Sequence, residues 1–160
     1  MKLTKVRVSR MIERNRMKSI EHAKAMILES NLSCYAYLEV GTYTSQFTGI
    51  RPLLQPLNMD KSFFVNAFVV DKVIGKSAAF LLLYGKAKKV HAFVMSEHAK
   101  NLLDKYDIEY SYDELVPFIE NNLKTDMCPM EKTVLNIEDI NEAFIALNHK
   151  VSELMKQREL

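Results

Sequence analysis

The stretch Asp71-Lys72-Val73-Ile74-Gly75-Lys76-Ser77, running into AAFLLLYG, constrains this chain more than any other. From Ala78 to Tyr84 it is apolar on every side, and Gly85 stands where a glycine commonly ends a helix. A helix without a polar face has to be buried all round. The residues leading into it include an aspartate, two lysines and a serine. Ionisable groups therefore converge on the first turn of a core helix, where unpaired backbone N–H groups favour an anion. Function is expected at that helix start.

Gly75-Lys76-Ser77 has the ending of a P-loop, but that motif needs a glycine five residues before Gly75, and Val70 stands there. It is not a Walker A motif. Lys76 nevertheless places a cation at the wrong end of a helix dipole, where it needs an anion close by. Asp71 or Asp126 would make a structural ion pair of it, and a ligand phosphate or carboxylate would make a binding site. The sequence leaves both readings open.

Around this stretch, segments of two periodicities alternate. Ser19 is positioned to cap a helix through about Glu29, with Ile20, Ala23, Ile27 and Leu28 as its apolar stripe. LSCYAYLEV alternates as a strand with one buried face, Gly41 turns it, and TYTSQFTG follows as its hairpin partner. Ile50 to Leu54 suits a short helix with Pro52 in its first turn, ended by the segment Pro56 to Met59. SFFVNAFVV fits strand or loop. After the buried helix, KKVHAFVMS has the content of an interior strand, and Ser96 caps a helix over EHAKNLLDKYD. IEYSY reads as a short strand, and DELVPFIEN as a helical turn or two around Pro117. In LKTDMCPMEKTVL, Pro129 in a first helical turn puts Cys128 at an N-cap. Asp139, with Glu142 three residues on, opens an amphipathic final helix. The pattern predicts an α/β domain, three layers deep, with helices on both faces of a mixed sheet of about five strands.

The length of 160 residues suits one domain. The formal net charge of +2 conceals an asymmetry. Residues 1–18 hold Lys2, Lys5, Arg7, Arg10, Arg14, Arg16 and Lys18 against Glu13 alone, a basic extension ahead of a single domain over residues 19–160. Such an arm suits nucleic acid, an acidic partner or anionic lipid, or is simply a solvated or locally helical segment. No aromatic residue interleaves it, which disfavours a nucleic-acid platform. No apolar run approaches a membrane span, no secretory signal opens the chain, and two cysteines make no disulfide framework, so a soluble cytoplasmic protein is expected. A homo-oligomer stays open.

Cys34 falls on the apolar face of a strand and is expected in the core. Cys128, between Asp126 and Pro129 at a helix start, is either a nucleophile with a lowered pKa or inert packing. The histidines His22, His91, His98 and His149 are scattered and no two cysteines have ligand spacing, so neither a metal site nor another cofactor is expected. His98, beside a helix start, lines a pocket or is solvated.

From about Ser19 to Leu147 the chain resembles a prokaryotic family catalogued as domain of unknown function 1893 and placed in the cytidine-deaminase-like superfamily. GIRPLL, DKVIGKSAAFLLLYG, MSEHA, ELVPFI and above all TDMCPMEKTVL carry the resemblance. It implies a three-layer deaminase-like fold with its site where two helix N-termini meet. True deaminases carry a His-x-Glu or Cys-x-Glu signature at the first start and Pro-Cys-x-x-Cys at the second. Here the two starts look like Gly75-Lys76-Ser77 and Ser96-Glu97-His98-Ala99, without the zinc ligands or the catalytic glutamate. The resemblance then implies a metal-free pocket with Lys76 and Cys128 as candidate catalytic residues. Asp71, Gly75, Ser77, Ser96, Glu97 and Asp126 are its candidate ligand contacts. The expected ligand is small, anionic and nucleotide-like, seated on Lys76 and the first-turn amides. The alternative is a non-catalytic binding or scaffold module whose basic N-terminal arm engages a partner.

Overall fold

The computed structural model describes residues 5–159. Eleven elements follow one another: α1 (Lys5–Glu29), β1 (Cys34–Tyr37), β2 (Thr42–Ser45), α2 (Arg51–Met59), β3 (Phe68–Ile74), α3 (Lys76–Tyr84), β4 (Lys89–Ser96), α4 (Glu97–Leu103), β5 (Glu109–Val116), α5 (Pro129–Thr133) and α6 (Ile140–Glu159). The strands form one mixed sheet in the order β2-β1-β3-β4-β5. The β1–β2 hairpin pairs Cys34 with Ser45, and β1 runs antiparallel to β3 with Cys34 opposite Asp71. β3, β4 and β5 are parallel.

The two faces of the sheet are covered unequally. On one face α1 alone packs Ala23 and Ile27 against Tyr35 and Val70, with Tyr37, Phe68 and Phe93 around them. On the other, α2, α3, α4 and α6 share a core in which Phe64, Phe80, Leu81, Leu103 and Leu147 are sealed from solvent. At the centre of that layer lies α3, whose residues Ser77 to Leu82 are all buried, as a helix apolar on every side requires.

Several expectations give way to longer elements. Ser19 caps nothing, because α1 is one continuous helix from Lys5 and Ser19 lies inside it, its carbonyl accepting the Tyr37 hydroxyl at 2.8 Å. Of the basic extension, Arg7 and Arg10 are exposed; Lys2 and the side chains of Lys5, Arg14, Arg16 and Lys18 lie outside the described residues. Pro56 does not end α2 but sits inside it, buried with Leu53, Leu54 and Leu57. Asp71, Lys72 and Val73 belong to β3, so the loop between that strand and α3 is reduced to Gly75. The segment Asp113 to Val116 is not helical. It extends β5, since its main chain pairs with β4 through Glu114 opposite Val94 and Val116 opposite Ser96. The predicted caps at Ser96 and Asp139 form, accepting Ala99 N at 3.1 Å and Glu142 N at 2.8 Å.

Candidate functional site

The start of α3 is made by three stretches far apart in the chain. Gly75 is its N-cap residue and brings no side chain to cap it. The carboxyl group of Glu131, from the first turn of α5, does so instead: its Oε1 accepts Lys76 N at 2.9 Å. The same oxygen accepts the Ser96 hydroxyl at the start of α4, and Oε2 accepts Ile119 N at 2.6 Å. Glu131 is 1% exposed, so a buried polar group is satisfied by three donors rather than left to carry a desolvation cost. Gly75 leaves room for it. A Cβ there would come within 2.8 Å of Ile119 Cγ1 and 3.2 Å of Glu131 Oε1.

Beside this junction lies a cavity of about 190 Å³. Its wall takes Thr48, Gly49 and Ile50 ahead of α2, Gly75, Ser77 and Ala78 at α3, and Ile119, Cys128 and Glu131 around α5. The floor is β3, with Asp71. Asp71 is 5% exposed, and its Oδ1 accepts Val73 N at 3.2 Å. Burial raises its pKa from 3.8 to about 7, with main-chain donors from Val73 and Lys72 opposing only part of that. The carboxyl is thus poised to gain or lose a proton near neutrality. Ser77 is a largely buried residue whose hydroxyl makes no hydrogen bond among the described residues and stays open to the cavity. Cys128 is half-buried at the wall, whereas Cys34 is sealed and its thiol is pushed well up by burial and by Asp71 across the strand pair.

Of the candidate residues, Asp71, Gly75, Ser77 and Cys128 come together around this cavity. The others do not join them. Lys76 pairs with neither Asp71 nor Asp126: its Nζ donates to Leu135 O at 2.7 Å, and the residue lines a separate cleft. Asp126 is exposed and pairs with Lys132 at 2.7 Å. Glu97 faces solvent, and Ser96 turns inward to Glu131. The cavity is therefore framed by the starts of α2, α3 and α5 rather than by those of α3 and α4. Because Glu131 already occupies the Lys76 amide, the first turn of α3 is partly capped from within.

The sequence model of a domain of unknown function, DUF1893, matches residues 22–151. The chain belongs to the DUF1893 family. A crystal structure of a DUF1893 family protein from Thermotoga maritima is 32% identical in sequence and superposes with a TM-score of 0.73, covering 81% of this chain and 88% of that one. No curated protein matches the chain. In this DUF1893 protein, Glu131 is the residue the sequence does not single out. One signal for it exists: it follows Cys128 and Pro129 within TDMCPMEKTVL, where an acidic residue in a first helical turn could equally be a solvated dipole partner. Among the described residues of the DUF1893 chain, no three His, Cys, Asp or Glu side chains are grouped to hold a metal ion. No described helix is long and apolar enough to cross a membrane.

Proposed function

We propose that this is a metal-free, deaminase-like domain that binds a small, nucleobase-sized ligand in the cavity between the starts of α2, α3 and α5. One observation carries the reading: a buried carboxyl group titrating near neutrality, Asp71, lines a cavity together with Ser77, whose hydroxyl is accessible and makes no hydrogen bond among the described residues. Protonated, Asp71 donates and accepts at once, which complements the amide or amidine edge of a heterocycle. The volume of about 190 Å³ suits a single ring system, and Ile50, Ala78 and Ile119 supply apolar surface for its faces. Asp71 is the group for proton transfer, and the Cys128 thiol at the wall is the nucleophile if the chemistry is covalent. The zinc of true deaminases does not fit this donor set, which has one thiol and two carboxyl groups, one of them held by three donors. No step is routed through a metal.

Timed alkylation with iodoacetamide tests the reading, since mass spectrometry reports both cysteines at once. A purine or pyrimidine base that occupies the cavity should slow alkylation of Cys128 while Cys34 stays unreactive throughout. Its protection should change across pH 7 in the parent and lose that dependence in Asp71→Asn. Failure of a panel of free bases and nucleosides to protect Cys128 overturns the proposal, as does pH-independent protection in the parent.

A further inference from the structure

The cleft lined by Lys76, about 360 Å³ in volume, has opposite character. Lys76 lies at its base, His98, Asn101 and Lys105 of α4 and its C-terminal turn form one wall, and Asn136 and Glu138 between α5 and α6 form the other. The Lys76 ammonium gives one proton to Leu135 O, leaving two, and its Nζ lies 5.5 Å from the centre of the Phe80 ring. Among the described residues no carboxylate pairs with it. A partly buried ammonium without a counter-ion is costly. Burial and the neighbouring Lys105 both push its pKa down, and Glu138 and Glu131 only partly oppose them. Two ammonium groups thus face one cleft against Glu138 alone, and the His98 ring lies on the same wall as Lys105. Side-chain amides of Asn101 and Asn136 and the Tyr106 hydroxyl are further donors on the wall.

We propose that this cleft is an anion site for a phosphate-bearing small molecule, clamped between Lys76 and Lys105. A multi-oxygen anion between the two ammonium groups replaces their mutual repulsion with charge-assisted hydrogen bonds. The volume exceeds what a lone phosphate fills and leaves room for the group it is attached to. The site is separate from the Asp71 cavity, with which it shares no lining residue.

Titration calorimetry with inorganic phosphate and pyrophosphate, at ionic strength held constant with sodium chloride, tests it. The parent should bind pyrophosphate more tightly than phosphate. Lys105→Gln, at an exposed position where folding is not at stake, should weaken binding roughly tenfold, the loss of one charge-assisted contact. Lys76→Met should weaken it at least as much. Cys128→Ser, in the other cavity, should bind pyrophosphate as the parent does, so this result and the alkylation result fail independently. The proposal is overturned if the parent shows no heat beyond the chloride control, if Lys105→Gln binds like the parent, or if Cys128→Ser abolishes binding.

Discussion

Two carboxyl groups are buried against the same cavity and treated in opposite ways. Glu131 receives three donors from three separate segments, the main-chain N–H groups of Lys76 and Ile119 and the hydroxyl of Ser96. Asp71 is left with main-chain donors of its own strand, and its pKa climbs to about 7. Nearly equal burial thus gives one group that fastens helix starts together and another whose proton is loosely held. What separates them is the number of donors aimed at each, because burial alone penalises any charged carboxyl and only hydrogen bonds return that cost. A site that needs both rigidity and a titrating group can have them a few ångströms apart by distributing donors unevenly.

The comparison is broken most directly at Glu131. Glu131→Ala leaves two main-chain donors and a hydroxyl without their acceptor and should destabilise the fold by ~3–5 kcal/mol, read from urea unfolding midpoints. A loss under ~1 kcal/mol would mean the three bonds are ornamental. Asp71→Asn should act with the opposite sign. The folded carboxyl titrates at about 7 and the unfolded one near 3.8, so the native state holds the extra proton between those values. The parent should therefore lose stability as pH rises from about 4 to 7 and then level off. The variant, which never ionises, should show no such decline and be the more stable above pH 7, by no more than ~4 kcal/mol. Parallel pH profiles for parent and variant would show that Asp71 holds no extra proton in the folded state.

Ser96→Ala removes both the cap on Ala99 N and one donor to Glu131, and should cost about 2 kcal/mol. Combined with Glu131→Ala it should cost less than the sum, because the two share a bond. Gly75→Ala is expected to be the mildest, about 1 kcal/mol, since φ of −92° suits alanine and the close approaches to the Ile119 and Glu131 side chains have to relax by only a few tenths of an ångström. Thermal melts in which Gly75→Ala unfolds at a lower temperature than Glu131→Ala would reverse the assignment of roles.

These residues also mark how far the sequence can be read. Ser96 and Asp139 are legible as caps because each bonds an N–H three residues away, and the buried α3 is legible because AAFLLLYG has no polar side to expose. The mixed five-stranded sheet follows from the alternation of periods. The extension of β5 through Asp113 to Val116 is not legible, since Pro117 points to a break while parallel pairing with β4 decides the matter. The candidate site is half legible. Asp71, Gly75, Ser77 and Cys128 share a cavity as their places near helix starts suggest. Lys76 does not, because a long flexible side chain on the first turn of a helix can leave on either side, and here its ammonium reaches Leu135 O instead. No local pattern reports that Glu131 reaches back 55 residues to cap α3.

That reach has a consequence during synthesis. α3 and its strands emerge from the ribosome well before Glu131 does, so the helix start at Gly75 waits for its cap while more than fifty further residues are added. The cap on α4 waits for nothing. Closing so long a loop is entropically costly until neighbouring contacts share the cost. The junction around Glu131 should thus become protected against hydrogen exchange later than α3 itself, and the cavity beside it has no fixed shape until Glu131 has emerged.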